Sequence, residues 1–163
     1  MARDAGLLQG NLRLSGKGLA VRPIGVHERA EWEPLWRGYL AFYHATQSPD
    51  VTGLVWTRMH DPAEPMFALG AYLDGRLAGI AHYLFHRTFW TAGDYCYLQD
   101  LFVAEGYRGK GIGAGLIAAV ETAARKWGAS RVHWLTREEN AAARGLYDKL
   151  AERSGFIQYR KIF

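Results

Sequence analysis

The sequence predicts an α+β domain, helices packed on a mixed but largely antiparallel sheet. Two observations predict it. Met66 to Leu73 and Arg76 to Phe85 are strand-like runs on either side of Asp74-Gly75, a two-residue hairpin signal. A further strand-like run, Asp94 to Val103, then leads through a helical run, Ile112 to Trp127, to the short strand Arg131 to Thr136, which makes one crossover.

The elements follow in order. Residues 1–18 are rich in Gly and Leu with little periodicity and read as an N-terminal extension; 19–163 read as a single domain. Leu19 to Ile24 is a short strand. His27 to His44 carries Trp32, Leu35, Trp36, Tyr39, Leu40 and Tyr43 at spacings of three and four, a helical stripe. Pro49 opens a second helical piece ending near His60, and Asp61-Pro62 and Glu64-Pro65 punctuate the loop after it. The helix from Ile112 has apolar positions 112, 116, 119, 120, 123 and 127 and ends before Gly128. Val132 and Trp134 share one face of the short strand. Asn140 to Ala151 is a helix burying Ala143, Leu146 and Leu150; Thr136 to Glu139 fits a capping box, which moves its start slightly earlier. Phe156 to Phe163 reads as a final strand.

Composition narrows the function classes. A chain of 163 residues with 49% apolar and 22% charged residues has enough apolar content for one sizeable core and argues against disorder. The net charge is +4, but the basic residues are spread along the chain without a like-charge block, so nucleic acid is not an expected partner. A single cysteine, Cys96, excludes an internal disulfide and a thiolate-rich metal site. The His residues do not combine into a metal site either: His82 and His86 lie on one side of a strand but ~13 Å apart. No apolar run approaches the roughly 18 residues of a membrane span and no secretory leader is evident, so a cytoplasmic protein is expected.

The most informative stretch is Tyr107-Arg108-Gly109-Lys110-Gly111-Ile112-Gly113-Ala114. It joins a strand to a helix. Glycines there let backbone N–H groups approach a ligand, and the helix start adds unpaired donors and the positive end of a dipole. The combination suits a phosphate or pyrophosphate. The spacing separates three loop types. A nucleoside-triphosphate loop fails twice, because Ala104 stands where its first glycine belongs and Gly111 where its Ser or Thr belongs. A dinucleotide fingerprint is met by Gly109, Gly111 and Ala114, but late in the chain and with no acidic residue about 20 positions on at a strand end. The third pattern, [QR]-x-x-G-x-[GA], is met by Arg108, Gly111 and Gly113.

Through that loop, the preceding Tyr97-Leu98-Gln99-Asp100-Leu101-Phe102-Val103, and the N-x-x-A-x-x-L-Y helix from Asn140 to Tyr147 some 27 residues later, the chain resembles the GNAT superfamily of acetyl-CoA-dependent N-acetyltransferases over residues 19–163. Within it, His86 to Trp90 and Phe156 to Lys161 look like the histone and polyamine acetyltransferase branch first described in yeast.

The resemblance implies a GNAT fold with one splayed parallel strand pair and acetyl-CoA lying in the V between them. Leu101, Phe102 and Val103 would pair with the pantetheine arm through backbone groups. The N–H groups of Arg108, Gly109, Lys110, Gly111, Ile112, Gly113 and Ala114 would hold the pyrophosphate, and Asn140 and Tyr147 would meet the cofactor. Asn140 also suits a helix N-cap. Tyr147 would protonate the leaving sulfur, a role its chemistry permits, since a phenol of pKa near 10 is protonated at neutral pH. Direct transfer in a ternary complex needs a neutral amine, and an alkylammonium at pH 7 is about 4.6 kcal/mol from that state. Related polyamine enzymes carry Glu at the place of Gln99, which cannot take a proton. Asp100 is next in line, but strand alternation turns it to the opposite face unless the strand is bulged. Water relayed to Asp100, His82 or His86 is therefore the expected base. The acceptor is a primary amine: a polyamine, diamine, amino acid or protein lysine. No metal is expected, and a homodimer is, because relatives often pair through the C-terminal strand. The alternative from another class is a non-catalytic acyl-CoA-binding sensor.

Overall fold

A computed structural model describes residues 12–13 and 18–163. The hairpin forms as its turn residues dictate. Asp74 (φ 50°) and Gly75 (φ 80°) both take positive φ, the geometry that matches the twist of tightly linked strands. They join β3 (Met66–Leu73) to β4 (Arg76–His86). Outside β3 lie β2 (Leu19–Pro23) and then β1 (Leu12–Arg13), which pairs antiparallel with Val21 and Ala20. On the other side β5 (Tyr95–Val103) pairs antiparallel with β4, and β6 (Arg131–His133) pairs parallel with β5. Among the described residues the six strands lie in chain order and only β5 and β6 run parallel, which bears out the predicted fold class.

Helices cover both faces. On one lies α3 (Ile112–Trp127), whose Ile112, Leu116, Val120 and Ala123 pack on Val21, Ala71, Ala81, Tyr83 and Cys96. Gly128 stops it with φ 82°. On the other face lie α1 (Arg29–Phe42) and α2 (Pro49–Arg58), whose Trp32, Trp36 and Trp56 form a second core with Ile24, Ala68 and Ile80. The last helix, α4 (Ala141–Leu150), sets Leu146 and Tyr147 against the α3-side core.

The β4–β5 ladder contains an irregularity that matters for the site. His82 pairs with Asp100 and Tyr83 with Leu98, so Gln99 is an extra residue in β5. The core records the same event: Cys96 and Leu98, then Leu101 and Val103, face α3, and the period of two breaks between them.

Four expectations are corrected. Leu150, expected on the buried side of α4, is exposed at the end of that helix. Phe156 to Phe163 forms no strand; residues 151–163 have no regular structure and are exposed. Alternating apolar residues suit a half-buried strand, but a strand also needs an edge to pair with, and among the described residues this segment pairs with none. The α4 cap is not the Thr136–Glu139 box: Asn140 is the N-cap, and its side chain accepts from the Ala143 N–H. The strand expected over 131–136 ends at His133. Of the expected 1–18 extension, Leu12–Arg13 joins the sheet edge; 1–11 and 14–17 lie outside the described residues. Among the described residues no helix is long and apolar enough to cross a membrane.

Candidate active site

The parallel pair is short. β5 and β6 pair at Tyr95–Arg131, Cys96–Val132 and Tyr97–His133, and the ladder stops there. Beyond it the β6-facing edge of β5, including Leu101, Phe102 and Val103, has no strand partner among the described residues, which is where an extended chain of amides can add. The Val103 carbonyl already accepts from Arg108 Nε at 3.1 Å, so that edge is partly capped by the loop's own arginine.

The loop follows a single 3-10 turn, Glu105–Tyr107. Gly109 (φ 74°) and Gly111 (φ 79°) occupy the left-handed region that side chains resist, and a Cβ on either would meet nothing within 4 Å. Backbone conformation selects these glycines, and the space over them is open. Gly111 is the N-cap of α3 and supplies no side-chain cap, so the first N–H groups of the helix, on Ile112, Gly113 and Ala114, lack helical acceptors. Exposed Arg108 and Lys110 flank them. This is a donor-rich, cationic cradle, and it fits the diphosphate of a coenzyme A thioester. Gly113 differs from its neighbours: a Cβ there would meet Leu146 Cδ2 at 3.2 Å. It lets α3 pass close to α4, and so helps place the helix that carries Tyr147.

Tyr147 packs its ring against Trp134, centroids 5.4 Å apart. Burial, and secondarily the nearby Tyr43, push its hydroxyl up to about 12. It is a neutral donor across the physiological range. Asn140 donates to Thr136 Oγ1 at 3.2 Å while capping α4, so its side chain is committed to the local fold.

The third part of the site lies on the α1–α2 face of the sheet, in a cavity of about 110 Å³ lined by Trp36, Gln47, Met59, His82, Gln99 and Asp100 among others. The bulge puts Gln99 and Asp100 there together. Gln99 is exposed, and Asp100 is 7% exposed. His82 Nδ1 lies 3.0 Å from Asp100 Oδ2, and Trp32 Nε1 donates to His82 Nε2 at 2.9 Å. Tyr39, on α1, has its hydroxyl pushed upward by burial and then by the charge of Asp100. His86 is not part of this cluster. Its ring faces His133, with Nε2 atoms 3.3 Å apart.

The sequence sets Gln99 and Asp100 side by side, on opposite faces unless the strand is bulged, and shows no partner for His82. A bulge leaves no local signature, and Trp32 is 50 residues from the histidine it binds. Cys96 is fully buried, with its thiol pushed up to about 12 by burial, as befits a core residue rather than a nucleophile. No group of three or more His, Cys, Asp or Glu arranged for a metal ion occurs among the described residues.

A parallel pair whose ladder ends after Tyr97–His133, an uncapped glycine loop and a largely buried phenol on α4 are what an acyl-CoA-using transferase requires. Residues 29–151 match the model of the acetyltransferase (GNAT) family, and the chain belongs to that family; it is an acetyl-CoA-dependent N-acetyltransferase. It is similar to the D-amino-acid N-acetyltransferase HPA3 of Saccharomyces cerevisiae, 32% identical over 145 residues that cover 88% of this chain and 90% of that one. It is 30% identical over 112 residues to the L-ornithine N5-acetyltransferase NATA1 of Arabidopsis thaliana, covering 66% of this chain and 49% of that protein. Its fold superposes on the ribosomal-protein-alanine N-acetyltransferase of Brucella melitensis with a TM-score of 0.77 at 21% identity, covering 89% and 99% of the two chains.

Proposed function

We propose that residues 19–163 act as one catalytic domain, moving the acetyl group of acetyl-CoA directly to the primary amine of a small free molecule, of the amino-acid or diamine kind, with both substrates bound together. The observation that supports this best is the cavity beside the bulge. At about 110 Å³ it accommodates a short amine-bearing arm, and its one carboxylate, Asp100, offers an ammonium group its counter-charge. Relatives named for D-amino acids and ornithine agree with an acceptor of that size.

The roles follow from chemistry. Leu101, Phe102 and Val103 offer the pantetheine arm a strand edge. The loop from Arg108 to Ala114 grips the diphosphate, and Asn140 fixes the start of α4 so that Tyr147 faces the sulfur. Gln99 binds the amine through its carbonyl oxygen, and Asp100 draws off its proton. Tyr147 hydrogen-bonds the departing sulfur. Its pKa of about 12 makes a lasting phenolate costly, roughly 5 kcal/mol against a thiol of pKa ~8.5, so the phenol regains a proton as it gives one.

The working unit is a homodimer in which the C-terminal segment pairs with a second copy. Phe156, Ile157, Tyr159, Ile162 and Phe163 are each at least 75% exposed, an apolar load for a segment to leave in water. Thiol release from acetyl-CoA, measured over a panel of amino acids, diamines, polyamines and lysine peptides, tests the reaction: saturable transfer to small free amines supports it, and binding without turnover points to a sensor.

A further inference from the structure

The base on the acceptor side follows from the hydrogen-bond chain behind the cavity, taking acetyl transfer to an amine as the reaction. An indole N–H only donates. Trp32 Nε1 at 2.9 Å from His82 Nε2 therefore makes that nitrogen an acceptor, with its lone pair turned to the tryptophan. The proton of the neutral ring must then sit on Nδ1, which lies 3.0 Å from Asp100 Oδ2 and donates to it. Both nitrogens of His82 are engaged, and neither is left for substrate. Trp32 is fully buried, stacked on Trp36 and tilted against Trp56, so the donor that sets this arrangement cannot easily turn away.

We infer that Asp100 is the group that takes the acceptor's proton, and that His82 and Trp32 are positioning residues that hold its carboxylate toward the cavity. The bulge at Gln99 is what brings Asp100 to this face. Tyr39 and Tyr97 both lie near enough to feel the charge of this carboxylate. In the reaction the substrate ammonium gives one proton to Asp100, directly or through one water. As the C–N bond forms, the C–S bond breaks with its electron pair going to sulfur, and the nitrogen's second proton replaces the one that the Tyr147 hydroxyl gives to that sulfur. Asp100 returns its proton to solvent.

Two measurements test this. The first is long-range ¹H–¹⁵N correlation of the histidine ring nitrogens in the uncomplexed protein. The Nδ1–H tautomer is expected for His82 in wild type and its loss of definition in Trp32→Phe; an Nε2–H tautomer in wild type overturns the assignment whether or not any amine is acetylated. The second is the pH profile of kcat/KM. His82→Asn keeps an N–H near the place of Nδ1 but has no basic nitrogen. It should retain activity within about tenfold of wild type and keep the acidic limb of the profile, while Asp100→Asn loses at least a hundredfold and the limb with it. A His82→Asn protein that is folded by circular dichroism yet as inactive as Asp100→Asn would make His82 the base. Failure of wild type to acetylate any amine would refute the proposed function but leave the tautomer result standing.

Discussion

Gln99 and Asp100, adjacent along β5, line the same cavity, because β5 carries one residue more than β4 between the Tyr83–Leu98 and His82–Asp100 pairs. Without that residue Asp100 would face the α3 core. The bulge thus gives the cavity a carboxylate even though the position before it holds an amide.

Replacing Gln99 with Glu places a second carboxylate beside the first. Like charges held side by side disfavour joint ionisation. The acidic limb of kcat/KM should move to higher pH in Gln99→Glu, with the fold intact because the side chain is exposed. An unmoved limb would separate Asp100 from the titration that controls rate.

Gly111→Asp puts a negative side chain into the open space over the loop and forces a non-glycine residue to φ 79°. Calorimetry should show coenzyme A binding weakened by at least tenfold, from repulsion of the diphosphate. The strain itself costs only about 1–2 kcal/mol, so the variant should still unfold cooperatively. Unchanged affinity would place the diphosphate elsewhere.

Tyr147→Phe removes one hydroxyl and little volume. Its kcat should fall by roughly 10²-fold while affinity for coenzyme A holds if, as proposed, the hydroxyl acts on the departing sulfur and not on binding. The basic side of the wild-type profile should show no tyrosine ionisation below pH 10, since burial holds this phenol at about 12. Equal losses in affinity and turnover would mark Tyr147 as structural.

Away from the site, Arg22 grips Glu28 through two hydrogen bonds of 2.7 Å each, and Glu28 also accepts from the Gly25 N–H and the Tyr72 hydroxyl. These bonds, against the opposing effect of burial, hold its carboxyl down at about 2, below an ordinary value of 4.5. A depressed carboxyl stabilises the fold above its unfolded pKa, and that contribution disappears as pH falls through the folded one. Melting temperature should therefore drop between pH 4.5 and 2 more steeply in wild type than in Glu28→Gln. At pH 7 the variant should lose roughly 1.5–3 kcal/mol, a shift of several degrees. Parallel acid curves for the two proteins would contradict the assignment.

Much of the fold is legible in the sequence, because its cues are local. Asp74-Gly75 fixes the hairpin, Gly128 ends α3 where its apolar stripe ends, and the α1 tryptophans declare their buried face. The glycine loop is legible for the same reason, although the sequence does not distinguish Gly113, which spaces two helices, from Gly109 and Gly111, which need positive φ. What is not legible depends on partners far along the chain. The bulge emerges only when β4 and β5 are in register, and the Trp32–His82 contact joins a helix to a strand across the core. The C-terminal segment has the alternation of a strand, but alternation cannot name the edge it would pair with.

A crystal structure with coenzyme A and a bound small amine measures the central relationship directly. The diphosphate should lie on the N–H groups between Gly109 and Ala114, and the sulfur should lie within reach of the Tyr147 hydroxyl. The amine should sit on the α1–α2 face beside Gln99 and Asp100. A diphosphate bound away from the loop, or an amine held on the opposite side of the sheet from Asp100, would contradict the account.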